Sequence, residues 1–539
     1  MDVPLPDVAA SEKPILTPEP AGTPAFSPTA ADARAPFPQL SFPRLCVALV
    51  AAALAACWLS LVLSEQKFTG YDVSPLIDSG WRVLNGQVPE HDFLVTFPAS
   101  LYLTVAAAYR LFGVTWHAIA LMACLQYLFL LAAGLRLAAL LRGRLGEATT
   151  CWLLAIYAVG QTILLVSINM PWHAAMAQSF GLYAVLGTLV LCGGRELTTP
   201  ARVESIAHLA IAFAVLLISK PNTSFPVVAV CLVVLLRAGL GWLRTLVVCV
   251  VSVLLTSAAL RTAGITLVDT LLSYRGLNGR LIPHGFQHGL FIHPAFSYGL
   301  GNLVAYALFV PTFVAVALAL LRDRVWRRDP AALLAAGAML TALIGMGTNF
   351  DFKLTDTPLL LMGMAILLAP GFRLRTEFAA RQFVIAACGL LLLALYFGVS
   401  RYRMMWSTPD CQAVDIQDRF LGGMAVCPAV ARTLGGVDAV LAREPDRDSV
   451  FFGPGLEYLY AARGIQSPRH LPAWWDLGTS YPVAQQPQLA GAWSAHRFHL
   501  VLLDPTMLGY LPIPIQRELS SRYEEIFSSP SLEVFRLRE

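Results

Sequence analysis

Charge is scarce in this 539-residue chain: Asp, Glu, Lys and Arg make up 13% of it, against 57% hydrophobic residues. With a mean hydropathy of +0.63, an ordinary soluble enzyme is excluded. The formal net charge of +4 is small and scattered, with no basic stripe and interleaved aromatics, so nucleic acid is not expected as a partner. No G-x-G-x-x-G, Walker sequence or G-x-S-x-G occurs, and the GPG at 453–455 reads as a turn rather than a nucleotide loop. The ten cysteines include no CxxC and no Cys/His metal spacing, so no metal site is expected. Eight of them (Cys46, Cys57, Cys124, Cys151, Cys192, Cys231, Cys249, Cys388) lie in apolar runs and read as small core residues. Residues 1–43 lack both an apolar period and the basic start of a signal peptide, and hold ten of the 35 prolines. They read as a disordered tail.

What is present is a series of apolar runs. Crossing about 30 Å of hydrocarbon takes roughly 20 helical residues. Runs near that length fall at about 45–63, 115–141, 148–167, 172–193, 205–219, 224–240, 243–261, 296–321, 331–346, 357–371 and 382–400. Alternate loops between them are arginine-rich, carrying Arg142 and Arg144, Arg195 and Arg202, Arg237 and Arg244, Arg322 to Arg328, and Arg373 to Arg381. The positive-inside rule puts these in the cytoplasm together with the N-terminus. Loop 64–97, loop 262–295 and the tail 401–539 are then outside. The short run 98–113 reads as a re-entrant or interfacial helix on that outer side, because a span there would turn every arginine-rich loop outward. In the tail, VFFGP (450–454), HLVLLD (499–504) and LEVFRL (532–537) read as strands, and GLEYLYAARG (455–464) as a short helix ending at glycine. Cys411 and Cys427 lie in this outer part, either bridged or as two free thiols.

Loop 64–97 concentrates Glu65, Asp72, Asp78, Glu90 and Asp92 against Lys67 and Arg82. A lone surface carboxylate usually just solvates a loop. Asp72, however, follows the first span closely, where desolvation raises a carboxyl from about 3.9 toward the range of a general base. The amphipathic PLIDSGWRVLNG after it reads as lying on the membrane, with Asp78 on its solvated face. In PEHDF (89–93), Asp92 reads equally as a second active-site carboxylate or as a turn and helix cap.

The stretch GYDVSPLIDSGWRVLNGQVPEHDFLVTFPASLYLTVAAAYRLFG resembles the first outer loop of the polytopic GT-C glycosyltransferases. That superfamily includes protein O-mannosyltransferases and the aminoarabinose transferases that modify lipid A. The residues that carry the resemblance are Asp72, the element from Asn85 to Asp92, Pro98, and Leu111-Phe112-Gly113. Val73 stands where many members have Glu, and His91 where the family has an aromatic before its second Asp. LLISKPNTSFP (216–226), with Lys220, is similar to the family's short T-K-G/P turn. NFDFKLTDTPLLLMG (349–363), with Lys353 and Pro358, is similar to a late family element, less its tyrosine.

The resemblance implies a mainly α, polytopic helical bundle of about eleven spans with a small outer C-terminal α/β domain. It implies a multi-pass enzyme of the bacterial inner membrane, moving a sugar from a polyprenyl-phosphate donor to a lipid, glycan or protein acceptor with inversion. Asp72 would be the general base and Asp92 its assistant. Lys220 and Lys353, with Arg275 and Arg280 as further outer cations, would hold the departing phosphate. A cation about 4 Å from that charge is worth about 4 kcal/mol at an effective dielectric near 20. Tyr71, His91, His173, His284 and His288 are candidates to line the substrate cavity; for Tyr71 and His173 an interfacial anchoring role competes. No ligand cluster decides whether a divalent cation takes part. Two rival functions remain, a surface-polysaccharide polymerase or ligase centred on loop 262–295, and a lipid-linked sugar transporter or flippase.

Overall fold

The computed structural model describes residues 41–64, 70–95, 97–168, 173–192, 197–238, 240–274, 313–314, 318, 329–348, 357–369, 414–423, 425–444, 449–477 and 480–538. The first nine helices are α1 (Phe42–Ser64), α2 (Gly70–Leu84), α3 (Ala99–Phe112), α4 (Trp116–Leu145), α5 (Glu147–Ile168), α6 (His173–Cys192), α7 (Thr199–Leu217), α8 (Pro221–Arg237) and α9 (Trp242–Arg261). They are followed by α10 (Pro330–Thr348) and α11 (Thr357–Leu368). Among the described residues six helices are long and apolar enough to cross a membrane: α1, α4, α5, α6, α7 and α9. Helices α8 and α11 and the Pro330–Gly345 part of α10 coincide with expected spans but are shorter. The expected spans at 296–321 and 382–400 lie almost wholly outside the described residues. Helix α3 is 14 residues long, about 21 Å at 1.5 Å per residue, which is too short for a span.

Leucine, alanine and β-branched side chains fill the interior of the bundle, where Leu153, Leu186, Leu209 and Leu360 are fully buried. On α1 and α9 large apolar side chains face outward instead, such as Trp58 at 67% and Trp242 at 71% exposure. Water would penalise that arrangement and lipid does not. One end of the bundle is basic. There the Arg142 guanidinium lies over the Phe42 ring, Glu147 accepts from the Phe42 N–H at 2.7 Å, and Arg144 donates to the Val190 carbonyl.

At the opposite end lies an α/β unit. A two-stranded ribbon of β1 (Val414–Asp415) and β2 (Ala425–Val426) precedes it. Its sheet comprises β3 (Val450–Phe452), β4 (Leu500–Leu503), β5 (Tyr523–Ser529) and β6 (Leu532–Leu537), in the order β3-β4-β6-β5. Strands β3 and β4 are parallel, and the other two pairs are antiparallel. Helices α12 (Pro428–Leu441), α13 (Tyr458–Arg463), α14 (Gln486–His496) and α15 (Ile513–Arg522) pack around it. Helix α13 ends at Gly464, whose φ of +67° is the left-handed stop that glycine allows. Cys427 is disulfide-bonded and Cys411, its candidate partner, lies outside the described residues; the cysteines at 46, 57, 124, 151, 192, 231 and 249 are not in disulfides.

The α/β unit is not tethered loosely. Val73, Leu76 and Ile77 of α2 share one apolar core with Val105 of α3, Phe420, Val450, Tyr458 and Leu459. This corrects the expectation that α2 lies on the membrane surface, and it corrects Asp78 as well, whose side chain is fully buried. The polar face of the amphipathic helix is covered by residues nearly 400 positions away, which a local hydrophobic pattern cannot report.

Candidate active site

Three segments that the charge pattern placed on one side of the membrane meet at the end of the bundle that carries the α/β unit. The first is the chain from α2 to α3. The second is the turn at 218–220, which ends α7 and starts α8. The third is 262–274, whose last eight residues are helical.

Helix α2 is fixed by a buried polar cluster. Asp78 and Arg82, one helical turn apart, pair at 2.6 Å with side-chain exposures of 0% and 2%. Ser467 donates to the second Asp78 oxygen, Arg82 also donates to the Pro468 carbonyl at 2.5 Å, and its guanidinium lies over the Phe93 ring. Burial pushes the Asp78 carboxyl up, and Arg82 and Ser467 pull it back only in part. Nearer the start of α2, Ser74 donates to Glu457 at 2.6 Å and accepts from the Tyr458 N–H at 2.9 Å. Asp72 falls in the first turn of α2 and Tyr71 beside it; their side chains lie outside the described residues.

The chain then makes a tight turn at 88–93. Asp92 accepts from the Val88 N–H at 2.8 Å and pairs with Arg469 at 3.2 Å, and its carbonyl accepts from the His470 N–H. One carboxylate oxygen is therefore engaged within the turn and the other with Arg469 of the α/β unit, while the residue capping α3 is Pro98. Glu90 adopts a φ of +67°, a left-handed conformation that costs a non-glycine residue roughly 1–3 kcal/mol, and its N–H donates to the Phe93 carbonyl. The turn thereby aims Glu90 at 262–274, where Ser273 donates to its carboxylate at 2.8 Å.

A pocket opens at that contact, lined by Glu90, Phe97, Tyr102, Asp269, Ser273 and Tyr274. Tyr274 donates to the Ser219 carbonyl at 3.3 Å, which ties this wall to the turn before Lys220. The Tyr102 side chain, also in the lining, is 3% exposed. Asp269 closes a capping box with Thr266, accepting from its N–H at 2.9 Å and its hydroxyl at 2.7 Å. Those bonds, with His91 nearby, hold the Asp269 carboxyl below its ordinary value. His91 itself is exposed at the rim.

Lys220, half-buried, is the residue before α8, with Pro221 in the first helical position. The Ser100 N–H at the start of α3 donates to the Ile218 carbonyl at 2.9 Å, so two helix N-termini converge here. Three hydroxyls at this junction, those of Ser100, Thr223 and Ser224, are buried with no hydrogen-bond partner among the described residues. Helix N-termini carry partial positive charge, and hydroxyls are ready donors. Groups of these kinds hold an anion where one can reach them.

His173 begins α6, and its side chain is outside the described residues, as are Lys353, Arg275, Arg280, His284 and His288 altogether. Among the described residues no three His, Cys, Asp or Glu side chains are placed to hold a metal ion. Glu90, Asp269, Tyr102, Tyr274 and the three hydroxyls were not singled out by sequence. Only the Thr266-x-x-Asp269 capping box left a local signal.

No family model matches this chain, and neither does any curated protein. Among solved structures, it is similar to ArnT from Cupriavidus metallidurans, crystallised in the apo state and bound to undecaprenyl phosphate. In both cases the match covers 91% of this chain and 97% of ArnT at 14% identity, with TM-scores of 0.46 and 0.44.

Proposed function

We propose that this chain is a membrane glycosyltransferase at the outer face of a bacterial inner membrane. It takes a sugar from a polyprenyl-phosphate donor and passes it to a lipid, glycan or protein acceptor. The observation that carries this is the junction at Lys220, where a cation, two helix N-termini and three unpartnered buried hydroxyls converge. The arginine-bearing end of the bundle is then cytoplasmic.

In the reaction, the acceptor oxygen attacks the anomeric carbon as the bond from that carbon to the phosphate oxygen breaks. The bonding electrons pass to the phosphate, and the configuration inverts. Lys220 and the α8 N-terminus face the charge that develops there, joined by Lys353, Arg275 and Arg280 in the same role. Asp72 takes the acceptor proton, a step that contributes about 10² to 10⁴ in rate. Glu90, Tyr102 and Tyr274 hold sugar hydroxyls in the neighbouring pocket, with His91, His173, His284 and His288 as further lining. Asp92 supports the turn that presents Glu90.

The test uses the full chain in lipid nanodiscs. Binding of undecaprenyl phosphate is measured directly, and sugar transfer is measured with lipid-linked sugars extracted from bacterial membranes. Asp72→Asn is expected to abolish transfer and to keep the lipid bound. Lys220→Ala is expected to weaken lipid binding by at least about tenfold, a small part of the roughly 4 kcal/mol available to a close ion pair. Transfer retained by Asp72→Asn removes the base; unchanged lipid binding by Lys220→Ala removes the phosphate site.

A further inference from the structure

Glu457 is the residue just before α13, in the α/β unit, and it is 2% exposed. It holds Ser74, two residues after Asp72 in the same turn of α2. The Ser74 hydroxyl is bound from both sides by this one helix end: it donates to Glu457 Oε2 and accepts from the Tyr458 N–H. Glu457 Oε1 is buried and meets no donor among the described residues, although the N–H groups of Gly455 and Glu457 itself are near. A buried carboxylate with one bare oxygen is costly, whereas a neutral acid is tolerated.

We propose that Glu457 is a positioning residue, a latch by which the α/β unit holds the Asp72-bearing turn of α2. This rests on Asp72 being the base. Glu457 touches no reacting atom and acts through Ser74. A glutamine would accept the same bond from Ser74. What a carboxyl adds is a proton that can leave.

The groups facing it set the direction. On α2 these are Ser74 and Asp78, the latter paired to Arg82; on its own helix they are Tyr458 and Tyr460; on α3, Tyr109 faces Asp78. Burial pushes the Glu457 carboxyl up to about 8, from 4.5, with the Ser74 bond pulling against it. The folded latch therefore holds a proton that the opened one releases. Its closing is fully favoured below about 4.5, weakens as pH rises from there, and levels off above about 8.

The experiment is hydrogen exchange of the amides of residues 70–84 in full-length wild type and Glu457→Gln, between about pH 6 and about pH 8. Expressed relative to Glu457→Gln, which cancels the intrinsic pH dependence of exchange, the opening of α2 in wild type should rise by about tenfold per pH unit. Turnover of wild type should fall as pH rises toward about 8 and level off beyond it, and that of Glu457→Gln should show no such fall. Identical pH dependence of exchange in the two proteins overturns the latch. If Glu457→Gln does not fold, Glu457→Met, which likewise has no titrating carboxyl, replaces it, with the same loss of pH-dependent opening expected and its persistence refuting. Transfer surviving in Asp72→Asn while the exchange behaves as stated would sink the base and leave the latch. A dead Asp72→Asn with pH-flat exchange would do the reverse.

Discussion

Arg82→Met is the perturbation with the largest consequence. The pair it breaks is shielded from water on both sides, with exposures of 2% for Arg82 and 0% for Asp78. Methionine keeps the length of the stem but leaves Asp78 with only the Ser467 hydroxyl. Removing one partner of a buried ion pair costs about 3–5 kcal/mol, because the remaining charge stays desolvated. The Pro468 carbonyl and the Gln87 side chain also lose a donor. The double variant Asp78→Leu/Arg82→Met removes both charges. It retains only the cost of the unpaired Ser467, Gln87 and Pro468 groups, about 1–3 kcal/mol. The double variant should therefore be more stable than either single one, a non-additivity of several kcal/mol. The assay is urea unfolding of the full chain in detergent, followed through the tryptophans at this contact. Trp81 donates to the Ile465 carbonyl and Trp474 stacks on Phe97 at 5.4 Å, so both report separation of the α/β unit from α2. Single-variant costs that add to within about 0.5 kcal/mol would refute the claim that Asp78 and Arg82 are coupled through burial.

Asp92→Ala separates turn from catalyst. It removes a cap on Val88, worth about 1 kcal/mol, and a pair with Arg469, which is 52% exposed and adds at most about the same. Stability should drop by about 1–2 kcal/mol while kcat per folded molecule changes less than about threefold; a loss of 10² or more in kcat would make Asp92 a catalytic group. Thr223→Val replaces a buried hydroxyl that has no hydrogen-bond partner among the described residues with an isosteric methyl. Thermal stability should hold or rise, and binding of undecaprenyl phosphate should weaken by about tenfold. Equal lipid binding in calorimetry would take Thr223 out of the anion site.

Apolar runs are legible because a span must satisfy its backbone internally and face lipid, and both demands are written locally. The strands at 450–454, 499–504 and 532–537, and the glycine stop of α13, were legible for the same reason. Strand β5 was not, since YEEIFSS (523–529) is largely exposed and carries no buried alternation. The failure at Asp78 is more instructive. A charged residue on an amphipathic helix reads as solvated when only its neighbours are consulted, and its partners Ser467 and Pro468 come from the far end of the chain.

That difference also explains the make-up of the candidate site. Lys220 was singled out because the short turn that carries it, in 216–226, resembles a family element, and such an element is read locally. Glu90, Tyr102 and Tyr274 became a pocket only through contacts spanning more than 180 residues, such as Ser273 to Glu90. The α/β unit supplies no residue to that pocket. Its contribution is mechanical: Glu457, Ser467, Pro468 and Arg469 hold α2 and the 88–93 turn from behind. A site whose carboxylates stand on one short helix and one strained turn needs such a backing, because neither element would keep its geometry alone. Under the proposed function, the α/β unit is on that account part of the catalytic scaffold, and the proposed latch at Glu457 is the point at which pH reaches it.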